Sequence, residues 1–544
     1  MSDTANADTE NTASVIARAL AQSGVRALFT YPGDPTIELM EQSRRLGTDV
    51  VLARREGSAA FMAEAAAMAT GGVGACLSTL GPGSTALVNG VAAATLDRVP
   101  VIAVSGQIET ARQAVFTHQV VEHEALYRPV TKWAGRVEAN AAAITMRKAI
   151  RVATAERPGA VHLTCAADTF TQAASDSAFT APPTEPAGGS VQVFRTPGAA
   201  ADPHRMLAAA RRPLLLVGIG ATRCSASDAV ARLAETVQMP VVVAPMAKGV
   251  LDEASPWFAG VLDMACNTTV WDLVRSSDLI VTAGFDPVEL IKPWSVEAPV
   301  LHVDTTPNAD QVYRSDLELV GHVGRVLDWL ADECDGAPRW TEAEVAAHRA
   351  RLRDAYYAGR VAGRLNPTDV VDCVRRASPA DTIATCDVGS HKLLVGQGWT
   401  TSTPRSVLMT NGLSAMGFGV PAAIAAKIMF PERPVVAMVG DGGFAMTATE
   451  IRLAAARRLG IVFVVFVDGS LNRIQLKQNV LNYPSTATLF EDTDLVGLAR
   501  ALDCDGERAE STEQLDKVLT RTRGLERPLV VEARIDPAQY ESQF

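Results

Sequence analysis

The residues best suited to chemistry in this sequence include an aspartate set among glycines. Gly440-Asp441-Gly442-Gly443 follows the apolar run VVAMV and precedes a helix that is expected to begin near Thr447. Glycines let a backbone approach a phosphate closely, and the free N–H groups at a helix start favour an anion. The segment predicts a site for a phosphorylated ligand, with Asp441 able to hold a hard cation such as Mg²⁺.

A second aspartate lies where one helix and one returning strand would bring it. The run IVFVVFV ends at Val467, and Asp468 comes 27 residues after Asp441. The two carboxylates can therefore meet over a single metal ion. The alternative is that Asp468-Gly469 is only a turn at the end of a strand, since this pair of residues favours turns.

This pattern resembles the signature of thiamine-diphosphate-dependent enzymes, and Val467-Asp468, in place of the usual two asparagines, resembles the catabolic acetolactate synthases. The resemblance runs from about Ala13 to Pro537. It implies thiamine diphosphate anchored through Mg²⁺, with Asp441 and Asp468 as side-chain ligands and Ser470 as a ligand through its backbone carbonyl. Gly440, Gly442 and Gly443 would then lie against the diphosphate.

Two upstream segments carry the same resemblance. DVGSHKLLVGQGW implies that Gly389, Ser390 and His391 approach the diphosphate and the substrate. TNGLSAMGFGVPAAIAAK implies that Ser414 offers its carbonyl to the aminopyrimidine and that Met416 holds the cofactor in its bent conformation. Ordinary core packing is the alternative role for Met416.

The catalytic acid implied by the resemblance is Glu56, in ARREGSAAFMAEAAAMA, followed by the turn Gly81-Pro82-Gly83. It would exchange a proton with the pyrimidine ring of the cofactor, which is general acid–base work. The alternative is a glutamate that only favours a helix start. Gln119, which precedes Thr131-Lys132 as in acetolactate synthases, is expected at the active centre.

Three further residues are expected near Glu56. Pro32 and Gly33 belong to the Tyr31–Asp34 loop, and His118 precedes Gln119. His118 is either an active-site residue or a surface histidine.

Arg473 and Lys477 are four residues apart in LNRIQLKQ and so share one helix face. They would suit a substrate with an extra anionic group, or form a solvated face.

The fold class expected from the alternation of apolar runs and Ala-rich segments is α/β, with three doubly wound parallel-sheet domains. The expected domains are a pyrimidine-binding domain at 10–175, a central domain at 196–335 and a diphosphate-binding domain at 367–536. Segments Ala181 to Ser190 and Gly336 to Pro367 are expected to connect them. A faint repeat relates AAFMAEAAAMATGGVGACLSTLGPGS to GVPAAIAAKIMFPERPVVAMVGDGGF.

The middle domain contains Gly218-x-Gly220, but Arg223 stands where a dinucleotide fingerprint needs its third glycine. Nicotinamide binding is therefore not predicted. The resemblance extends to this domain, where Phe285-Asp286-Pro287-Val288 replaces the phrase found in flavin-containing synthases. FAD is not expected.

Composition excludes several classes. The 48% hydrophobic and 20% charged residues are typical of a folded α/β protein. A net charge of −11 argues against nucleic acid and anionic membranes as partners. No apolar run approaches the roughly 20 residues of a membrane span. The N-terminus lacks the pattern of a secretion signal, and eight scattered cysteines indicate a reduced, cytoplasmic protein.

The resemblance implies a carboligase that decarboxylates a 2-oxo acid, with pyruvate as the expected donor, and transfers the resulting enamine to a second carbonyl. A 2-oxo acid decarboxylase or lyase without ligation and a catalytically silent cofactor-binding paralogue are the alternatives. The active sites would lie at subunit interfaces of a homodimer or homotetramer.

Overall fold

The computed structural model describes residues 10–174, 179–182, 191–198, 202–334 and 339–543. Both segments expected to connect the domains lie partly outside these residues. The chain divides into two compact units, which are described separately. The first comprises Met1–Pro186, Gly412–Pro431 and Thr449–Arg457, and the second comprises Ala187–Asn411, Glu432–Ala448 and Arg458–Phe544. No helix in the described ranges is long and apolar enough to cross a membrane.

The first unit contains a parallel six-stranded sheet in the order β2-β1-β3-β4-β6-β5. Its strands are β1 (Ala27–Tyr31), β2 (Asp49–Leu52), β3 (Gly74–Ser78), β4 (Val101–Gln107), β5 (Trp133–Arg136) and β6 (Val161–Ala166). Its helices are α1 (Thr12–Gln22), α2 (Ile37–Arg45), α3 (Glu56–Thr70), α4 (Gly81–Leu96), α5 (His123–Tyr127), α6 (Ala142–Thr154) and α7 (Ala167–Thr171).

Helix α3 is buried on nearly all sides, which explains its many alanines. It packs so closely on α4 that a Cβ atom at Gly90 would overlap Ala60 and lie 3.1 Å from the Gly57 carbonyl oxygen. Small residues at such a crossing let two helix backbones approach each other. This close packing fixes the position of Glu56 at the start of α3.

The second unit contains a seven-stranded sheet in the order β10-β9-β8-β11-β12-β13-β7. Its strands are β7 (Gln192–Arg195), β8 (Pro213–Val217), β9 (Val241–Val243), β10 (Phe258–Val261), β11 (Leu279–Ala283), β12 (Val300–Asp304) and β13 (Leu317–Val320). Strand β7 pairs antiparallel with β13, an exception to the parallel sheet expected here.

The helices around this sheet are α8 (Pro203–Ala209), α9 (Ile219–Arg223), α10 (Ser227–Val237), α11 (Asn267–Arg275), α12 (Val323–Asp332) and α13 (Glu342–Tyr356). Thr341 caps α13 by accepting the Glu344 N–H. Val345, His348 and Leu352 of α13 are buried, and the His348 ring lies 2.8 Å from the Ala259 carbonyl oxygen. Helix α13 was expected to be a connection, but it is part of the packed core of this unit.

A third, parallel sheet has the order β15-β14-β16-β17-β19-β18. Its strands are β14 (Ile383–Cys386), β15 (Val407–Met409), β16 (Val435–Gly440), β17 (Ile461–Val467), β18 (Asp505–Ala509) and β19 (Leu529–Arg534). The helices after α13 are α14 (Pro367–Ala377), α15 (Ser390–Gly398), α16 (Gly419–Met429), α17 (Asp441–Thr447), α18 (Ile451–Ala456), α19 (Asn472–Val480), α20 (Leu495–Ala501) and α21 (Thr512–Leu519).

The first and third sheets have the same relative strand order, and the second sheet differs. The repeat noticed in the sequence is therefore a repeat of the fold. Each sheet has an internal reversal of strand order, between β1 and β3, between β8 and β11, and between β14 and β16. The crevice at the carboxyl ends of such strands is where open α/β sheets bind ligands.

Candidate functional site

The crevice of the third sheet contains both predicted metal-binding aspartates. Asp441 follows β16 and Asp468 follows the neighbouring β17. The Asp441 carboxylate accepts the Gly469 N–H at 2.8 Å and the Asp468 N–H at 3.2 Å. The 27-residue interval thus brings the two aspartates together. The helix after Gly440 begins at Asp441, so the sequence-based expectation of a start near Thr447 was wrong.

The electrostatics of this pair suit a cation. Burial raises the pKa of Asp441. Burial, and then the nearby charge of Asp441, raises the pKa of Asp468 to about 7. Two carboxylates held together out of water are costly, and a divalent cation between them offsets that cost.

Ser470 completes this group of oxygen atoms. Its N–H and its hydroxyl both donate to Asp468 Oδ1, at 3.0 and 3.3 Å. Its carbonyl accepts no backbone hydrogen bond from the described residues. No cluster of three or more His, Cys, Asp or Glu side chains that could hold a metal occurs in the described ranges. Two carboxylates and one carbonyl are nevertheless the hard oxygen ligands that Mg²⁺ prefers.

A third aspartate at this edge was not singled out from the sequence. Asp387 directly follows β14, is fully buried, and accepts the Val388 N–H at 2.7 Å. A Cβ atom at Gly443 would lie only 2.6 Å from Asp387 Oδ2, so Gly443 must lack a side chain. The signal was available, because Asp387, Asp441 and Asp468 all come at or just after the end of an apolar strand.

His391 lies at the same edge. Its buried ring stacks on Phe466 and lies against the Gly440 backbone. Burial lowers its pKa to about 3, so the imidazole is neutral. Its Nε2 is buried and has no hydrogen-bond partner in the described part of the chain. A buried polar atom without a partner beside a glycine loop indicates a position that a ligand could fill.

Two further contacts surround the loop. The Ser390 hydroxyl donates to Asn472 Oδ1 at 2.6 Å, which connects the first turns of α15 and α19. Phe490 lies against Gly442, and its N–H donates to the Gly469 carbonyl at 2.8 Å. The sequence contained no local signal for either Asn472 or Phe490, because both roles depend on chain segments that fold back.

Glu56 occupies the corresponding edge in the first unit. It is the first residue of α3, is half-buried, and its Oε1 lies 3.1 Å from the point where a Cβ atom of Gly83 would stand. Gly83 belongs to the first turn of α4, after β3. The predicted turn at Gly81-Pro82-Gly83 therefore becomes the wall against which the Glu56 carboxylate lies.

Several other predicted residues border this wall. A Cβ atom at Gly33 would overlap the Thr79 side chain, so the loop with Pro32 and Gly33 lies beside the end of β3. Gln119 has a φ of 60° and its carbonyl accepts the Gly81 N–H at 3.1 Å. His118 is exposed and its ring contacts Phe116.

Ser414 and Met416 lie in the first unit, in the segment before α16. This segment is held by the Gly412 N–H, which donates to Asp97, and by Phe418, whose ring meets Phe61 edge-on at 5.9 Å. Ser414 has a φ of 53°. Both Ser414 and Met416 are half-buried, which leaves each of them accessible to a ligand.

Arg473 and Lys477 lie on α19 as predicted, with both side chains largely exposed. Partial burial lowers the pKa of Arg473.

The crevice of the second sheet is filled by a side chain of the protein itself. Glu289 is fully buried, and its Oε2 accepts the Ile219 N–H at 3.0 Å and the Asp286 N–H at 3.2 Å. Burial raises the pKa of Glu289 to about 8. Gly218 and Gly284 are packed against the same region. The glycines of the Gly218-x-Gly220 segment thus make room for Glu289 and for a close backbone crossing.

Comparison with known proteins gives matches along almost the whole chain. Three family models match: the N-terminal TPP binding domain of thiamine pyrophosphate enzymes at residues 10–127, the central domain at 202–330, and the C-terminal TPP binding domain at 387–533. A catabolic acetolactate synthase of Raoultella terrigena is 30% identical over 96% of this chain and 95% of its own length. An acetolactate synthase of Bacillus subtilis is 27% identical over 96% and 93%. A probable acetolactate synthase large subunit of Methanocaldococcus jannaschii is 29% identical over 97% and 92%.

Proposed function

We propose the function of this chain from its family: it belongs to the thiamine pyrophosphate enzymes, which include the acetolactate synthases. It joins a decarboxylated 2-oxo acid to a second carbonyl compound. Pyruvate is the proposed donor. The main support is the contact between Asp441 and Asp468 at the carboxyl ends of β16 and β17, next to the strand-order reversal of the third sheet. The glycine loop at this position lies within the match to the family. When bound, thiamine diphosphate supplies a nucleophilic carbon and an electron sink.

The residues of this chain would do the remaining work. Asp441, Asp468 and the Ser470 carbonyl would hold Mg²⁺, and Gly440, Gly442 and Gly443 would let the diphosphate approach the backbone. Gly389, Ser390 and His391 would lie on the substrate side of the diphosphate. The unpartnered Nε2 of the neutral His391 ring supports a role in orienting a bound oxygen atom.

Glu56 would exchange a proton with the pyrimidine ring nitrogen. Its half-buried position against Gly83 supports this role, because the carboxylate can reach a ligand while water is partly excluded. Ser414 and Met416 would hold the pyrimidine and its bent conformation. Gln119, with His118, Pro32 and Gly33, would border the substrate, and the tie between Gln119 and Gly81 supports that assignment for Gln119.

The domain assignment is part of the proposal. Residues 10–175 would bind the pyrimidine, 196–335 would form the central domain, and 367–536 would bind the diphosphate. The three family matches fall inside these ranges. Glu289 supports the expectation that FAD does not bind the central domain, because its carboxyl group already accepts the N–H groups that a phosphate would need. None of the eight cysteines forms a disulfide in the described residues, which supports a reducing, cytoplasmic environment.

We also propose a homodimer or homotetramer in which each active site combines two subunits. Tyr31, Ile37 and Leu52, which lie in or near the loops around Glu56, expose 43, 58 and 46% of their surfaces. Large apolar side chains exposed together beside a candidate site favour a protein interface. Ile474, Leu481 and Tyr483, in and after α19, are exposed by 52, 52 and 62% and support the same view.

Arg473 and Lys477 are proposed to contact an extra carboxylate, phosphate or sulfonate group on one substrate. If so, Arg473→Ala would raise KM for a dianionic substrate by about tenfold or more and leave KM for a monoanionic one within about twofold. Steady-state kinetics on a pair of 2-oxo acids that differ by one carboxylate test this. Equal changes for both acids would indicate a solvated helix face instead.

The first experiment is incubation with thiamine diphosphate, Mg²⁺ and a panel of 2-oxo acids, with carbon dioxide and products followed by mass spectrometry. Glu56→Gln should abolish turnover and leave folding intact. Glu41→Gln is the matched control, because Glu41 is a surface residue of the same unit, paired with Arg44 and Arg45. A ligated product that vanishes only in Glu56→Gln supports the carboligase.

Other products would support the alternatives. Free aldehyde without ligation indicates a simple decarboxylase. Bound cofactor without turnover on any acid indicates a silent paralogue, and would contradict the proposed function.

A further inference from the structure

A cleft of about 810 Å³ lies within the second unit, and no residue that lines it belongs to the candidate cofactor site. Its walls are α13, the segment 254–260 that leads into β10, and the carboxyl end of α15 with the following residues. Pockets that bind small organic molecules commonly have volumes of about 300 to 1,000 Å³ and mostly apolar walls with a few polar groups. The cleft has the size for such a ligand.

The body of the cleft is apolar and is kept open by small side chains. Ala343, Ala346 and Ala350 lie at positions i, i+3 and i+7 of α13, and so line one side of that helix. Pro256 and Phe258 form part of the opposite wall. A flat apolar group could therefore lie between the helix and this segment.

One buried polar side chain in the wall lacks a partner for its donor group. Gln397 is 9% exposed, and its Oε1 accepts the Val261 N–H at 3.2 Å, which fixes the orientation of the amide. Its Nε2 has no acceptor among the described residues. The amide nitrogen is open to the cleft, where its two donor hydrogens are available to a ligand. An acceptor on a ligand in the cleft would satisfy them.

Two cations of α13 line the same cleft. Arg349 donates to the carbonyls of Ser255 and Glu253, at 2.8 and 3.2 Å, so that it retains its charge but is fixed in place. Arg353 lies one turn further along α13, and its guanidinium makes no hydrogen bond or ion pair within the described ranges. This end of the cleft is positively charged.

The acidic groups of the cleft are either distant or already engaged. Glu342 is eleven positions before Arg353 on α13, which corresponds to about 16 Å. Asp372 accepts the Tyr357 hydroxyl at 3.0 Å, and Glu253 pairs with the buried Lys248 ammonium at 2.7 Å. Asp372 keeps a negative charge, but the charges of Arg360 and Arg376 also act on it, so Arg353 is the cation left to attract an anionic ligand.

We propose that this cleft binds a small organic anion with an apolar body, at a site separate from the active centre. The anionic group accepts hydrogen bonds from Gln397 Nε2 and Arg353. The apolar body lies against Ala346, Ala350 and Phe258. A carboxylate, sulfonate or phosphate meets the requirement, and the wide apolar floor favours an aromatic or branched ligand over a short-chain acid.

The test uses the full chain with thiamine diphosphate and Mg²⁺, and the fluorescent aromatic sulfonate 8-anilinonaphthalene-1-sulfonate as the probe. Saturable binding of one probe per chain is expected. Ala350→Trp fills the cleft and should weaken binding by about tenfold or more. Ala347→Trp is the matched control, because Ala347 is exposed on the same helix but does not line the cleft.

A second pair of variants tests the charge. Arg353→Ala should weaken binding by about threefold or more. Arg351→Ala, two positions away on the same helix and outside the cleft lining, should leave binding unchanged. Gln397→Glu keeps the acceptor for Val261, replaces the free donor with a charge, and should also weaken binding.

Four results would overturn the proposal. The first two are an absence of saturable binding and equal affinity in the Ala350→Trp variant. The third is displacement of the probe by thiamine diphosphate. The fourth is a change in oligomeric state on Ala350→Trp, which would identify the cleft as a contact between copies. The Glu56→Gln variant should bind the probe normally. Failure of the proposed catalytic function is thereby distinguished from failure of this site.

Discussion

Glu64 provides a test of the electrostatics that support the first unit. Glu64 is fully buried on α3. If both Glu64 and Asp97 are ionised, neither carboxyl oxygen of Glu64 has a hydrogen-bond partner in the described residues. Burial, and then the charge of Asp97, raise its pKa well above the ordinary value of 4.5. We therefore expect Glu64 to keep a proton at pH values well above 4.5 and to donate it to Asp97, which also accepts the Gly412 N–H.

The sign of the resulting pH dependence follows from linkage. Between pH 4.5 and the raised pKa, the folded chain binds one proton that the unfolded chain releases. Stability is then fully present below about pH 4.5 and is lost as the pH rises, by about 1.4 kcal/mol per pH unit. Glu64→Gln has no such proton, so its free energy of unfolding should gain on that of the wild type as the pH rises from about 4.5 toward the raised pKa, by about 1.4 kcal/mol for each pH unit in that interval.

The assay is urea unfolding at pH 5, 6, 7 and 8 for the wild type, Glu64→Gln and Glu41→Gln. Glu41 is a suitable control because hydrogen bonds from Arg44 and Arg45 lower its pKa to about 2, so that it stays ionised throughout this window. Infrared spectroscopy over the same pH range should show a protonated carboxylic acid that persists above pH 4.5 and is missing in Glu64→Gln. Parallel curves for the wild type and Glu64→Gln, with no such band, would refute the reasoning.

Three further predictions concern the candidate site. If each active centre takes Glu56 from one subunit and Asp441 from another, an equal mixture of refolded Glu56→Gln and Asp441→Asn chains should recover about a quarter of wild-type turnover in a dimer. Turnover no higher than that of either variant alone would contradict the shared site. Asp468→Ala should lose Mg²⁺-dependent retention of thiamine diphosphate in equilibrium dialysis, whereas unchanged retention would remove Asp468 from the metal site. Gly83→Ala should lower kcat by about tenfold with cofactor affinity retained, because the added Cβ would lie 2.7 Å from Thr79 Cγ2 and 3.1 Å from Glu56 Oε1 and would displace the carboxylate. Gly72→Ala, where the nearest atom is at 3.5 Å, should have normal kinetics.

The sequence predicted the fold best where an element is buried on both faces. The runs VVAMV and IVFVVFV became β16 and β17, because continuous apolar strands can only be satisfied inside a parallel sheet. The same reasoning could not find the edge strand β7, whose four residues are all exposed. It also took α13 for a connection, because half of that helix is polar and only its tertiary contacts reveal its buried side.

The candidate site divides in the same way. Asp441 and Asp468 could be paired from the sequence because each ends a strand and the interval between them fits one crossover. Asn472 and Phe490 could not, since their contacts with Ser390 and Gly442 are set by how segments fold back over the loop. Asp387 lies between these cases, because its position after β14 was readable but its contact with Gly443 was not.

The three strand-order reversals explain how one repeated architecture gives different sites. The reversals in the first and third sheets end in glycine turns, at Gly81 and at Gly440, beside the half-buried acidic side chains of Glu56 and Asp441. The reversal in the second sheet has glycines too, but there Glu289 accepts the N–H groups that an anion would otherwise bind. Because the crevice geometry is common to all three, the side chain that enters it decides whether it binds a ligand. A buried carboxylate that already occupies the donors turns a potential binding edge into core, which is why the glycine pattern of the middle domain alone is a poor predictor of a cofactor.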